Sequence, residues 1–161
     1  MDARMTSLFA YGTLMTAEGL RPALGDRVDA FHFRPARLPG WRRVWNAYRS
    51  EWLGGVLNVE PHAAASVVGV LIEGLGEGDL ARLDSQEATH VPRETVYVVP
   101  LAGGEPVPAQ LYWRRRGNHN GEPSLRYRAT VLERAREAGP DVWDNLRTGS
   151  VDPSGQPLLL V

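Results

Sequence analysis

The order of secondary-structure signals along the chain is the feature that most constrains its fold. Short apolar and β-branched runs fill the first two thirds, and the longest helical pattern comes late, at residues 124–138. A parallel sheet of the α/β type needs strands and helices that alternate regularly, and this chain does not show that alternation. The order predicts an α+β protein with a mixed or mostly antiparallel sheet. Its strands can close into a small barrel or form an open sheet with helices on one face.

Six or seven short strands are predicted from apolar runs and their bounding turn residues. They cover residues 7–11, 28–38, 43–48, 55–59, 67–72, 95–101 and 107–113. Pro39 and Gly40 predict a turn between the second and third of these runs. Helices are predicted at residues 79–87, 124–138 and 141–146, and residues 15–24 form a short helix or an irregular loop. We expect one domain over residues 1–148 and an extended C-terminal tail over residues 149–161.

Composition excludes several kinds of chemistry. The chain has no cysteine, and all 18 of its basic residues are arginine, so it has no disulfide, thiolate nucleophile or Schiff-base lysine. A net charge of -1 gives no electrostatic signal for nucleic-acid binding. No uncharged apolar segment approaches the roughly 18 residues that a membrane helix needs, and no cleavage site follows the apolar residues 8–15. These features favour a cytoplasmic protein that does not bind membranes.

The predicted helix at residues 79–87 points one carboxylate toward the core. Leu80, Leu83 and Glu87 have the spacing i, i+3, i+7, which places them on one helix face. Apolar surroundings would raise the pKa of Glu87 and suit it to proton transfer near neutral pH. The alternative is that the last helical turn frays and Glu87 reaches solvent.

The loop after the first predicted strand is a candidate anion site. Gly12 allows unusual backbone angles and the close approach of a ligand. Successive N–H groups at such a turn can bind a carboxylate or an oxyanion. The alternative is an ordinary strand-ending turn beside a core tyrosine, Tyr11.

Tyr127 lies at the border of an apolar stripe on the late helix. The predicted stripe includes Leu125, Ala129 and Leu132. A tyrosine at this border can bury its ring and keep its hydroxyl group at a polar cavity. The alternative is a core tyrosine whose hydroxyl meets a backbone carbonyl.

Two other patterns admit different interpretations. Arginine and tryptophan are interleaved at residues 41–45 and 113–116, which can indicate nucleic-acid binding or strands with tryptophans inward and arginines in water. The net charge favours the second interpretation. Glu87 and His90 have the Glu-x-x-His spacing of di-iron sites, but such sites need a second copy that this sequence lacks. We therefore predict no metal site.

Five blocks in the same order resemble the γ-glutamylcyclotransferase family, which includes the AIG2-like proteins. Residues 8–14 resemble its opening strand and Tyr-Gly-[Ser/Thr] loop, and residues 38–46 resemble the next stretch. Residues 68–71 resemble the strand before the catalytic helix. Residues 83–87 match Leu-Asp-x-x-Glu, and residues 123–127 match Pro-Ser-x-x-Tyr. The chain departs from the family at Ala88, where glycine is usual, and near Val91, where many members have tyrosine.

The resemblance implies a small β-barrel with flanking helices and a cavity at one end. It implies conversion of a γ-glutamyl amine or peptide into 5-oxoproline and the released amine, with Glu87 as the catalytic acid/base. Neither a cofactor nor a metal is implied, and the expected partner is a small molecule. The implied substrate-binding residues are Tyr11, Gly12, Thr13, Leu14 and Tyr127. The alternatives are a non-catalytic ligand-binding member of the same fold and an arginine/tryptophan-based nucleic-acid binder.

Overall fold

The computed structural model describes residues 5–87 and 91–160, except for the side chain of Glu87. Five strands close into a barrel in the order β1-β3-β2-β4-β5, and β5 pairs with β1 to complete it. The pairing of β1 with β5 is parallel, and the other four pairings are antiparallel. The strands are β1 (Thr6–Ala10), β2 (His32–Arg49), β3 (Gly54–Leu75), β4 (Arg93–Pro100) and β5 (Val107–Tyr112). The predicted α+β class is confirmed, and a barrel forms rather than an open sheet.

In the described part of the chain, four α-helices flank the barrel: α1 (Ala17–Leu24), α2 (Glu77–Glu87), α3 (Leu125–Ala138) and α4 (Pro140–Gly149). The N-terminus of α3 is capped by Ser124, whose hydroxyl oxygen accepts a hydrogen bond from the Tyr127 N–H at 3.2 Å. Pro140 opens α4 at a position where its missing N–H costs nothing. Within the described residues, no helix has the length and apolar character to cross a membrane.

The predicted turn at Pro39 and Gly40 is wrong, because β2 continues through both residues. The β2–β3 register shifts between Pro39 and Trp41, and Gly40 has φ 82°. A bulge with a glycine in the left-handed region lets the strand bend without ending. The predicted strands at residues 43–48 and 55–59 thus become parts of one long hairpin. The start of the predicted strand at 28–38 is instead a 3₁₀ turn over Gly25–Ala30.

The core consists of two clusters on opposite faces of the barrel strands. Phe9 and Leu71 belong to the cluster inside the sheet, and Leu8 and Ile72 belong to the cluster under the helices. This alternation follows the two-residue period of a strand. On α2, Leu80 and Leu83 are buried as predicted.

The segment of residues 150–160 joins β2 at Val151 and α4 at Leu160. The carbonyl oxygen of Val151 accepts a hydrogen bond from the Trp45 N–H at 3.0 Å, and the Val151 N–H donates to the Arg43 carbonyl at 3.1 Å. Leu160 is almost completely buried. Val151 therefore extends the edge of β2 beside Val44, where Arg43, Val44 and Trp45 are all buried.

Candidate active site

A cavity of about 90 Å³ lies where the loop after β1 meets the β2–β3 hairpin and α3. Its lining residues come from distant parts of the sequence. They are residues 8–14, residues 47–49, Trp52, residues 56–58, Val91, Tyr112, Arg114 and Tyr127. All five residues that the sequence predicts to bind substrate therefore line the same cavity.

The loop that forms one wall of this cavity, residues 11–14, is called the β1 loop below. Its Tyr11 carbonyl accepts a hydrogen bond from Arg43 Nε at 2.9 Å, and its Thr13 carbonyl accepts one from Arg134 Nη1 at 2.6 Å. The Tyr11 hydroxyl donates to the Tyr112 carbonyl at 2.6 Å. Two carbonyl groups of the loop therefore point to arginines.

The N–H groups of the β1 loop are available to a ligand. Among the residues that the structure describes, none accepts a hydrogen bond from the N–H of Gly12, Thr13 or Leu14. Amide donors that line a cavity without a protein acceptor can bind a carboxylate or an oxyanion.

Gly12 is required by close packing. A Cβ at this position would lie 2.6 Å from the Tyr127 hydroxyl oxygen, closer than two such atoms can approach. Gly12 does not use the unusual backbone angles that a glycine allows, because it is not among the glycines with positive φ. The hydrogen atom of the glycine leaves room for Tyr127 against the loop.

Tyr127 is held between two tryptophans. Its ring contacts Trp45 edge-on at 5.6 Å and Trp52 edge-on at 5.1 Å between ring centroids, and it is 5% exposed. The Ser124 hydroxyl donates to the Trp52 carbonyl at 2.6 Å and so joins the start of α3 to the hairpin tip. In the Pro-Ser-x-x-Tyr motif, the serine therefore caps α3 and the tyrosine places its ring beside the cavity.

The predicted apolar stripe around Tyr127 is wrong in two of its members. Leu125 and Ala129 are exposed, and the buried face of α3 is formed by Tyr127, Val131 and Ala135. These three residues have the spacing i, i+4, i+8, which follows one side of a helix.

A polar network attaches the C-terminal part of α2 to the barrel. The Asp84 carboxylate accepts hydrogen bonds from Arg93 at 2.7 and 3.1 Å and from the Tyr112 hydroxyl at 2.6 Å. The Arg93 hydrogen bond is the largest of the effects that hold the pKa of Asp84 below its ordinary value. Because Tyr112 lines the cavity, this network brings the end of α2 to its edge.

Glu87 ends α2 one turn after Asp84. Its side chain lies outside the described part of the chain, as do Ala88 and His90, so the predicted orientation of the Glu87 carboxylate stays a prediction. The backbone of α2 places residue 87 next to Gln86, whose carbonyl lies 3.5 Å from Arg49 Nη2. Arg49 lines the cavity.

Arg43 is a buried cation that the sequence does not predict. It is 1% exposed, so the expectation that the arginines of residues 41–45 lie in water is wrong for Arg43, which the two-residue period of the strand places on the same face as Trp41. Its other guanidinium contacts are the Val68 carbonyl at 2.8 Å, Asn145 Oδ1 at 2.5 Å and Met15 Sδ at 3.9 Å. Burial lowers the pKa of Arg43 to about 9, so it remains protonated at neutral pH.

Buried residues lie on both faces of β2 around this position, since Arg43, Val44 and Trp45 are all buried. Asn145 of α4 contacts one part of the strand, residues 150–160 pair with another, and the register with β3 shifts between Val44 and Ala47. The sequence gives only a weak signal that Arg43 is buried, since arginine side chains ordinarily reach water.

The tryptophans of the two arginine-rich segments are involved in packing. Trp41 and Trp113 contact each other edge-on at 4.9 Å, and Trp45 is fully buried. Arg115 lies over the Trp113 ring at 5.2 Å. Within residues 5–87 and 91–160, no three His, Asp or Glu residues come close enough together to hold a metal ion.

A closed mixed barrel with a concave cavity that combines apolar walls with convergent polar groups is a place where small molecules bind. The family model for gamma-glutamyl cyclotransferase, AIG2-like proteins matches residues 8–129, and the chain belongs to this family. The sequence matches no curated protein.

Solved structures share the fold. A gamma-glutamyl cyclotransferase aligns with a TM-score of 0.77 and 20% identity over 91% of this chain and 88% of its own. An uncharacterised protein from Homo sapiens, loc79017, aligns with a TM-score of 0.76 and 20% identity over 90% and 88%. YkqA from Bacillus subtilis aligns with a TM-score of 0.73 and 18% identity over 89% of this chain and 53% of its own. At these identities the alignments show the fold alone.

Proposed function

We propose that this protein is an enzyme that cyclises a γ-glutamyl amine or γ-glutamyl peptide to 5-oxoproline and releases the amine. Membership of the gamma-glutamyl cyclotransferase, AIG2-like family supports the proposal. The observation that carries it is the cavity itself. The β1 loop and Tyr127 line this cavity, and the Asp84–Tyr112 hydrogen bond brings the end of α2 to it.

The proposed reaction needs little more than positioning and proton transfer. The α-amino nitrogen of the substrate attacks its own γ-carbonyl carbon, and the bond from that carbon to the leaving nitrogen breaks. Nucleophile and electrophile belong to the same molecule, so the enzyme mainly folds the substrate into a reactive shape. No redox change occurs, and the proposal includes no cofactor.

Glu87 is assigned the proton transfers. Its carboxylate takes a proton from the attacking amine and gives one to the leaving nitrogen, so that the products are 5-oxoproline and a neutral or protonated amine. The N–H groups of residues 12–14 bind the substrate carboxylate or the oxyanion that develops on the γ-carbonyl. The Tyr127 hydroxyl lies at the same loop and donates to the substrate or to Glu87.

The decisive experiment measures 5-oxoproline release from γ-glutamyl amino acids, glutathione and γ-glutamyl amines. Glu87→Gln keeps the shape of the side chain but cannot act as a base. We expect it to fold normally and lose at least roughly 10²-fold in rate, the usual scale of general acid–base catalysis. The matched control is Glu77→Gln, an exposed residue at the other end of α2, which should retain wild-type turnover.

Three results would contradict parts of the proposal. Near-wild-type turnover in a folded Glu87→Gln removes Glu87 from the mechanism. Tight binding of γ-glutamyl compounds without product identifies a non-catalytic member of the same fold. Strongly salt-dependent oligonucleotide binding without γ-glutamyl turnover favours the nucleic-acid alternative, although the burial of Trp45 and Arg43 removes two of the residues that it would use.

A further inference from the structure

Two arginines lie behind the β1 loop, on the side of its carbonyl groups. Arg43 donates to the Tyr11 carbonyl from the core, and Arg134 of α3 donates to the Thr13 carbonyl. The Tyr11 carbonyl and the Gly12 N–H belong to one peptide group, and the Thr13 carbonyl and the Leu14 N–H belong to another. Each arginine therefore contacts a peptide group whose N–H belongs to a residue lining the cavity.

Peptide geometry gives these contacts a direction. In a trans peptide group the C=O and N–H bonds point to opposite sides, and the described residues contain no cis peptide bond. Because the two carbonyls point toward the guanidinium groups, the N–H groups of Gly12 and Leu14 point away from them. A charged donor on the carbonyl also polarises the peptide group and strengthens its N–H as a donor.

The charge of Arg43 is not neutralised locally. All its hydrogen-bond partners are neutral: two backbone carbonyls, the Asn145 amide oxygen and the Met15 sulfur. Among the described residues, no carboxylate lies within ion-pair distance of its guanidinium group. A buried charge of this kind acts through protein rather than water, so its field at the loop is weakly screened.

We propose that Arg43 and Arg134 are positioning residues that give the β1 loop its affinity for an anion. They hold the loop carbonyls away from the cavity and make the N–H groups of Gly12 and Leu14 stronger donors. The anion is the α-carboxylate of the γ-glutamyl group, retained in 5-oxoproline, so the inference rests on the proposed function. Neither arginine needs to touch the substrate.

The test compares two ligands of nearly the same shape, one with a negative charge and one without. Binding of 5-oxoproline and of its neutral primary amide is measured by calorimetry on the full chain. For Arg134→Met we expect the affinity for 5-oxoproline to fall about tenfold or more, the scale of one charge-assisted hydrogen bond, and the affinity for the amide to change less than about threefold. Arg128→Met on the same helix is the matched control and should bind both ligands like wild type.

Arg43 is tested by two variants, so that a test remains if loss of the buried side chain unfolds the core. Arg43→Met removes the charge, and Asn145→Asp places a carboxylate on the Arg43 guanidinium, keeps the side-chain shape and gives up the hydrogen bond to the Ser66 carbonyl. Both should show the same selective loss of 5-oxoproline binding, with thermal unfolding measured in parallel. Arg42→Met, next along β2 and paired with Glu60, is the control.

The outcomes distinguish a failure of the arginine inference from a failure of the proposed function. Equal losses for the acid and the amide in the folded arginine variants show that the arginines act only on loop shape, which overturns this inference and leaves the proposed function intact. Unchanged affinity for both ligands also overturns it. A wild-type protein that binds neither ligand and forms no 5-oxoproline overturns the proposed function and this inference together.

Discussion

The β1 loop lines the cavity and the end of α2 is joined to the cavity edge through Tyr112, and the two are held in different ways. The loop is attached to Arg43, which is buried and bonded to neutral acceptors. The end of α2 is attached by the Asp84–Arg93 pair, whose side chains are 37% and 31% exposed. The loop is therefore a part of the core, whereas the helix end depends on contacts that solvent, salt and pH can weaken.

The largest effect is expected from Gly12→Val, which acts on the loop side. The new side chain would overlap the Tyr127 hydroxyl, and Tyr127 cannot move easily between Trp45 and Trp52. Overpacking of this kind costs about 1–3 kcal/mol, and we expect 5-oxoproline binding to be lost even where the fold survives. Calorimetry on the folded variant measures the affinity for 5-oxoproline. Gly78→Ala, where an added Cβ meets open space, should bind like wild type.

Retained 5-oxoproline affinity in a folded Gly12→Val would show that the loop does not bind the ligand. The difference between the β1 loop and the end of α2 would then concern packing only, and the loop would have no role in binding.

Tyr127→Phe should have an intermediate effect, because it removes one hydroxyl and keeps the ring packing. We expect a loss of about 1 kcal/mol in transition-state binding, measured as kcat/KM, with little change in thermal stability. Tyr97→Phe changes a tyrosine that is 63% exposed and should leave both quantities unchanged. A Tyr127→Phe variant that loses stability but keeps its kinetics would identify a core residue.

The smallest effect is expected at the end of α2, from Asp84→Asn. The folded-state pKa of Asp84 lies below its unfolded value. Its stabilisation is therefore present above the unfolded pKa, near 4, and is lost as the pH falls through the folded pKa. At neutral pH we expect a loss below about 1 kcal/mol, since the pair is partly exposed.

Thermal unfolding of wild type and Asp84→Asn measures this dependence. The difference in Tm should be larger at about pH 7 than at about pH 3, and Asp144→Asn on α4 is the control. A difference that does not change with pH would mean that the Asp84 contacts act through shape and not through charge.

Periodicity and turn signals predicted most of the elements that build the site. The positions of β1, α2, β4, β5 and α3 agree with the structure within a few residues, because each combines a clear apolar pattern with a stop signal. The hairpin of β2 and β3 was predicted as several separate strands. A proline and a glycine ordinarily end a strand, and only the bulge at Gly40 shows that this one continues.

The predicted substrate-binding residues meet at one cavity, but their contacts could not be predicted. The motif at residues 11–14 contains no information on Arg43 or Arg134, which are 32 and 121 residues away from their loop partners. The packing of Gly12 against Tyr127 is likewise set by the closed barrel and by the docking of α3.

The sequence by itself determined the elements and the candidate residues, since hydrophobic period, caps and turn residues act over a few positions. Only the tertiary structure decided that the sheet closes, that β2 has buried residues on both faces around Val44 and that Arg43 is buried behind the β1 loop. Barrel closure, strand register and burial depend on contacts between distant segments. Local sequence therefore cannot predict that the guanidinium group of Arg43 lies behind the β1 loop.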